Sequence, residues 1–282
     1  MLRCAVCLLL ALAALTGFPV YAQLPTAPVI HVSLLAEPES IAPGQQFWVA
    51  VQFQMEKGWH IYWINPGDSG EPPRIQWRLP AGFQAGDLRW PHPERLVTKY
   101  STDYGYADQM LLLAPIRPPT GLAPGAKVNL GGTVKWVVCR EVCIPGKTEV
   151  ALSLPVKQEQ GPGPQPNRSF EDARKRIPQP APAHWRARAR AEKNEIVLFI
   201  DTGQPIAQAA FFPFQAQQIE NAAPQGITAL PQGLRLRLKK SEQLLKPMAK
   251  LKGVILLPSG KAYVIDAPVT GGRARDSKTK KG

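Results

Sequence analysis

Phe47-Trp48-Val49-Ala50-Val51-Gln52-Phe53 sets aromatic and β-branched residues in alternation, with no helical period. Such a stretch reads as a β-strand. Working outward, residues 29–35, 58–63, 75–79, 110–116, 128–138 and 148–156 have the same character. Between them stand Pro43-Gly44, Asn65-Pro66-Gly67-Asp68-Ser69-Gly70 and Pro80-Ala81-Gly82, all turn formers. With 30 prolines and 23 glycines in 282 residues, the chain suits short strands and tight turns better than helices. The fold class expected is all-β: an antiparallel β-sandwich over residues 23–157, then a second, smaller β-rich domain over residues 185–270. In the second unit, residues 196–200, 234–238, 253–257 and 262–265 read as strands, and Phe211-Phe212-Pro213-Phe214 reads as its core plug.

Between the two units, residues 158–184 form a Pro/Gly-rich, basic linker. Gly161-Pro162-Gly163-Pro164 suits neither strand nor helix. A short helix is expected over residues 169–177, capped by Ser169 and ended by Pro178. At the start of the chain, Met1-Leu2-Arg3 precedes an apolar run and then Val20-Tyr21-Ala22, the pattern of a secretory signal peptide cleaved after Ala22. Cys4 and Cys7 would leave with it. The expectation is a soluble, periplasmic protein whose basic tail, residues 271–282, is disordered.

The net charge of +13 points to nucleic acid only until it is located. Residues 23–157 carry 12 Lys/Arg against 11 Asp/Glu, and the excess lies in the linker, the second unit and the tail. No nucleic-acid partner is expected of an exported chain charged in this way.

Cys139 and Cys143, in Trp136-Val137-Val138-Cys139-Arg140-Glu141-Val142-Cys143-Ile144-Pro145-Gly146, are the cysteines expected to remain. Three readings stay open. As a staple, the pair closes a very small loop, worth about 2 kcal/mol by chain entropy. As a redox pair, closeness in sequence keeps a resolving thiol beside the attacking one. Arg140 adjoins Cys139 and would favour its thiolate, which makes Cys139 the expected nucleophile. As a metal site, the pair would need His or Met partners from elsewhere, such as His60 or His92, and Cys-x3-Cys is not the usual zinc spacing. The pair should sit at a sheet rim, with Ile144-Pro145-Gly146 as a turn.

Four motifs in order, Gly58-Trp59-His60-Ile61-Tyr62-Trp63-Ile64-Asn65-Pro66-Gly67-Asp68-Ser69-Gly70, Trp90-Pro91-His92-Pro93-Glu94-Arg95, Tyr104-Gly105-Tyr106 and the cysteine stretch, resemble the periplasmic N-terminal region of the DsbD/ScsB-type disulfide reductases. The resemblance covers residues 29–156, and more weakly the Phe-Phe-Pro unit beyond the linker. It implies an immunoglobulin-like domain with Cys139 and Cys143 as the catalytic pair. It also implies Tyr104 or Tyr106 as a cap that shields the pair, and no cofactor or metal. The partners implied are a separate membrane electron donor of DsbD/CcdA type and periplasmic thioredoxin-like or disulfide isomerase-like acceptors. The membrane and thioredoxin-like domains of that family are not expected here, so the electrons must come from another polypeptide. The alternative is a non-catalytic β-sandwich binding or chaperone-like module, related to copper stress, with a structural disulfide.

Overall fold

The computed structural model describes residues 29–162 and 168–271. The signal-peptide reading, Cys4 and Cys7 with it, and the tail beyond Gly271 lie outside the described residues.

The first body is built from β1 (Ile30–Ala36), β2 (Phe47–Met55), β3 (His60–Gly67), β4 (Arg74–Arg78), β5 (Gln84–Ala85), β6 (Glu94–Val97), β7 (Thr102–Ala107), β8 (Gln109–Arg117), β9 (Lys127–Cys139) and β10 (Cys143–Pro155). One sheet has the order β1-β2-β8-β5; the other runs β10-β9-β3-β7-β6, with β4 added alongside β9. All their pairings are antiparallel. The two sheets face one another in an immunoglobulin-like sandwich. Strand period sorts the side chains. Phe47, Val49, Val51 and Phe53 of β2 point inward and meet Ile61, Trp63, Val134 and Val138 from the opposite sheet.

The outer face of β2 and β8 is also covered. Helix α1 (Arg168–Arg176) lays Phe170 and Ala173 on Ala50, Leu111 and Leu113. Arg174 pairs with Glu37, and Arg176 with Glu94 at 3.1 Å. This part of the expected linker is thus docked, because its two apolar residues lie three apart on one helical face. Ser169 lies within the helix rather than capping it.

The second body has β11 (Gln179–Pro180), β12 (Arg186–Ala191), β13 (Glu195–Asp201), β14 (Ala210–Pro213), β15 (Gly226–Leu230), β16 (Gly233–Lys239), β17 (Lys250–Leu256) and β18 (Ala262–Thr270). They follow one order, β14-β17-β18-β12-β13-β16-β15, with β11 on β18. The Phe211–Phe214 cluster divides its work. Phe211 enters this body's own core, while Phe212 joins the core of the first sandwich. Phe212 meets Trp63 and Tyr104 edge-on, at 6.4 and 5.2 Å, and Phe214 lies 5.5 Å from Trp63. The cluster is therefore a plug between the bodies as well as within one. Polar contacts frame it: Asn65 Nδ2 donates to Pro213 O at 2.7 Å, Asn221 Nδ2 to Asp68 Oδ1 at 2.7 Å, and Arg95 Nη2 to Asn221 O at 2.6 Å.

Two elements depart from expectation in the first body. β7 forms where a cap bearing Tyr104 or Tyr106 was expected, and β10 starts at Cys143, so Ile144-Pro145-Gly146 is strand rather than turn. Pro145 is accommodated because β10 is an edge strand of its sheet.

Candidate functional site

The disulfide Cys139–Cys143 closes the β9–β10 hairpin, with the sulfurs 2.00 Å apart. The two cysteines face each other in register, and residues 140–142 make the turn, where Arg140 N donates to Val142 O at 3.2 Å. The sulfurs are not equivalent. β9 is flanked by β3, whose His60 stands opposite Cys139, and Cys139 is only 2% exposed. Among the described residues β10 has no strand on its other side in the sheet, and Cys143 is exposed beside Val142, itself 61% exposed. By residue exposure Cys143 is the more accessible of the two cysteines, whereas Arg140 adjoins Cys139, the expected nucleophile. Arg140 is exposed, and its guanidinium lies 5.0 Å from the ring centre of Trp59.

β3 supplies the rest of the site. Ile61 and Trp63 turn inward to the core, so His60 and Tyr62 fall on the disulfide face. Tyr62 Oη lies 3.6 Å from Cys143 Sγ and 3.2 Å from Ser69 Oγ. Ser69 Oγ donates to Asp103, at 3.0 Å from Oδ1 and 3.1 Å from Oδ2, and the Ser69 backbone N–H donates to Oδ1 at 3.0 Å. Ser101 Oγ donates to Asp103 Oδ2 at 2.9 Å. His60 Nε2 stands 3.8 Å from Asp103 Oδ2, an ion-pair distance too long for a hydrogen bond, and finds no hydrogen-bond partner among the described residues. The result is a polar chain from sulfur to phenol, serine, aspartate and imidazole, in which the phenol, the carboxylate and the imidazole are buried.

The turn after β3 makes room for it. Gly70 has φ +70°, and a Cβ there would fall 2.0 Å from Tyr62 Cζ. Only glycine lets the turn close over the phenol.

Burial pushes the Tyr62 pKa up, the nearby Asp103 charge adds to this, and the Ser69 hydrogen bond works the other way. The phenol is thus a neutral donor at any physiological pH. For Asp103, burial acts to raise the pKa, but the neighbouring His60 imidazole and donation from Ser101 and Ser69 outweigh it and hold the carboxyl below its ordinary value. The carboxylate is ionised and anchors the chain.

Tyr104 and Tyr106 do not cap the disulfide. Both are buried and share the inner face of β7: Tyr104 meets Phe212, and Tyr106 Oη donates to Pro91 O at 2.6 Å. The strand period that turns them inward puts Asp103, between Thr102 and Tyr104, on the disulfide face instead. Burial pushes both phenols up, Tyr104 to beyond the ordinary tyrosine range. Of the histidines considered as metal partners, His60 is beside the pair, whereas His92 is held at helix α1, its N–H donating to Arg176 O at 2.7 Å. Among the described residues, no group of three or more His, Cys, Asp or Glu side chains is arranged to hold a metal ion. No helix among them is long and apolar enough to cross a membrane.

Sequence reasoning passed over Tyr62, Ser69 and Asp103. The usable signal was Trp59-His60-Ile61-Tyr62-Trp63, in which His60 and Tyr62 alternate with apolar residues and carry no charge-bearing neighbour, running into a turn that offers Ser69.

Residues 31–155 match the family described as "Thiol:disulfide interchange protein DsbD, N-terminal". These residues form a DsbD N-terminal domain. It is a thiol–disulfide exchange domain by family, and its disulfide is the Cys139–Cys143 pair. Among solved structures, the N-terminal periplasmic domain of ScsB from Proteus mirabilis is similar over 89% of this chain and 97% of its own, with a TM-score of 0.65 and 16% identity. That likeness is one of fold, and it extends past the DsbD N-terminal domain into the second body. A protein of unknown function from Porphyromonas gingivalis W83 covers 87% of this chain and 100% of its own at 11% identity, and the Bacillus cereus pilin subunit BcpA covers 87% and 69% at 8% (its D312A form). Their TM-scores of 0.26 and 0.29 carry no argument. A comparison with curated proteins gives no match.

Proposed function

We propose that this is an exported thiol–disulfide exchange protein that relays reducing equivalents through Cys139 and Cys143. The donor is a separate membrane protein of DsbD/CcdA type, and the acceptors are periplasmic thioredoxin-like or disulfide isomerase-like proteins. The observation that carries the reading is the unequal burial of the two cysteines, with a phenol hydroxyl beside the sulfur of the exposed one.

The donor's thiolate attacks Cys143 Sγ. A mixed disulfide forms, the Cys139–Cys143 bond breaks, and Cys139 leaves with the electron pair as a thiolate that takes up a proton. The donor's second thiolate then attacks its own sulfur in the mixed disulfide and releases Cys143. The donor has become a disulfide, and Cys139 and Cys143 a dithiol. The Cys143 thiolate passes the two electrons on by the same steps in reverse to an acceptor disulfide. The polar chain serves Cys143. A serine hydroxyl has one proton, and that of Ser69 is committed to Asp103. The Tyr62 proton is then shared between Ser69 Oγ and the sulfur, and it turns to the sulfur when Cys143 becomes a thiolate.

The alternative, a binding module braced by the disulfide, is weakened by the hairpin itself. β9 and β10 pair continuously from Cys139↔Cys143 to Lys127↔Pro155, so the register is already held without a covalent bond. Trapping tests the proposal. The Cys139→Ser variant, incubated with oxidised glutathione, should accumulate a stable mixed disulfide on Cys143, and Cys143→Ser should accumulate far less on Cys139. A wild-type disulfide inert to dithiols in the native protein would sink the relay and leave the brace. A double Cys→Ser variant that still bound its partner as wild type would do the same.

A further inference from the structure

One register position of the disulfide sheet carries three cations side by side. Arg74 of β4 stands opposite Lys135 of β9, and Lys135 stands opposite Lys147 of β10. Opposite residues in an antiparallel ladder point to the same face, and like charges placed so destabilise it. All three are exposed, and none makes an ion pair with another described residue. Two residues further along, the same face is neutralised: Glu149 pairs with Arg78 and accepts a hydrogen bond from Thr133. The unneutralised row lines a groove of about 500 Å³ with Val137, Pro145 and a single carboxylate, Glu71.

The row and the disulfide share a face. Along β10, Lys147, Pro145 and Cys143 alternate outward, as do Lys135, Val137 and Cys139 along β9. Lys147 is four residues from Cys143, about 13 Å along the strand. A surface that runs from an exposed sulfur over an apolar step to three uncompensated cations fits a polypeptide with the complementary order.

We infer that the Arg74–Lys135–Lys147 row docks an acidic segment of the redox partner. The segment presents carboxylates about 13 Å from the partner's reacting cysteine, with an apolar residue between them over Val137 and Pro145. The occupant is identified by charge complementarity: the row repels itself in the free protein and is relieved only by anions. This deepens the proposed exchange function and rests on it.

Two synthetic cysteine peptides of equal length test it on the oxidised full-length protein. One carries glutamates four and five residues from its cysteine, the other lysines. At low ionic strength the acidic peptide should reduce the Cys139–Cys143 disulfide about tenfold faster. The preference should collapse at high salt and in the Lys135→Gln/Lys147→Gln variant, and persist in Lys127→Gln at the far end of β9. The Lys135→Gln/Lys147→Gln variant should unfold at the same temperature as wild type or above it, because repulsion has been removed. Equal rates for the two peptides, or a preference that survives in that variant, overturn the docking inference and leave the exchange function standing. If neither peptide reduces the disulfide, the exchange function falls and takes this inference with it. Salt-sensitive binding to phosphatidylglycerol vesicles that is lost in the same variant, without any peptide preference, would assign the row to a lipid surface and overturn the partner reading.

Discussion

The two faces of β3 show how one strand serves two ends. Ile61, Trp63 and Asn65 face the core and the second body, where Trp63 meets Phe212 and Phe214 and Asn65 holds the Pro213 carbonyl. His60 and Tyr62 face the disulfide and join its polar chain. All of these side chains are buried, so burial alone does not tell structure from chemistry here. What separates the faces is where polar atoms end. On the core face the one amide is satisfied by a neighbouring backbone. On the disulfide face a hydroxyl is divided between two acceptors, and an imidazole nitrogen has none.

The comparison breaks if substitutions on the two faces have the same effect. The largest change should come from Trp63→Ala, which empties the junction between the bodies and should cost about 3–5 kcal/mol in denaturant unfolding. The rate of thiol exchange by the folded fraction should be unchanged. Asn65→Ala leaves the buried Pro213 carbonyl unpaired and should cost about 1–3 kcal/mol, again without slowing exchange. Tyr62→Phe should do the reverse. Stability should change by about 1 kcal/mol or less, while the Cys143 thiol pKa rises by about half to one unit and reduction of an acceptor disulfide slows about fivefold. Thiolate absorbance against pH measures the first, and stopped-flow exchange the second. A Trp63→Ala protein that exchanged as slowly as Tyr62→Phe would show that the two faces are coupled.

The smallest effect should appear as a pH dependence. The Asp103 carboxyl titrates below its ordinary value in the folded protein. It therefore contributes stability above the unfolded carboxylate pKa of about 4, and that contribution is lost as pH falls through the folded value. Unfolding followed from pH 6 down to pH 2 should show this acid-side loss, and Asp103→Asn should lack it. An unchanged profile in Asp103→Asn would mean that the carboxylate is not held by its donors.

The strands at 47–53, 110–116 and 128–138 were legible because one inward face gives them alternation or an apolar run. β7 was not. Thr102 to Tyr106 are all buried, the tyrosines inward and Asp103 under the disulfide, so no period survives to be read. The cysteine pair was legible from its spacing, but the inequality of its sulfurs was not. That inequality arises from strand order: β9 gains β3 as a neighbour from residues about eighty positions earlier, and β10 gains none. Tyr62 was hidden for the same reason, since its hydroxyl meets Cys143 81 residues away in sequence. The division of Phe211 from Phe212 likewise depends on two bodies meeting, which a local apolar cluster does not announce.

The glycine under the phenol has one more consequence. Because a methyl group at position 70 would occupy the space of the Tyr62 ring, Gly70→Ala would swing the hydroxyl away from the sulfur while keeping tyrosine, serine, aspartate and both cysteines in the chain. The side chain that most directly governs the phenol's aim is thus one that the turn lacks, and the position of a donor, rather than its presence, becomes open to experiment.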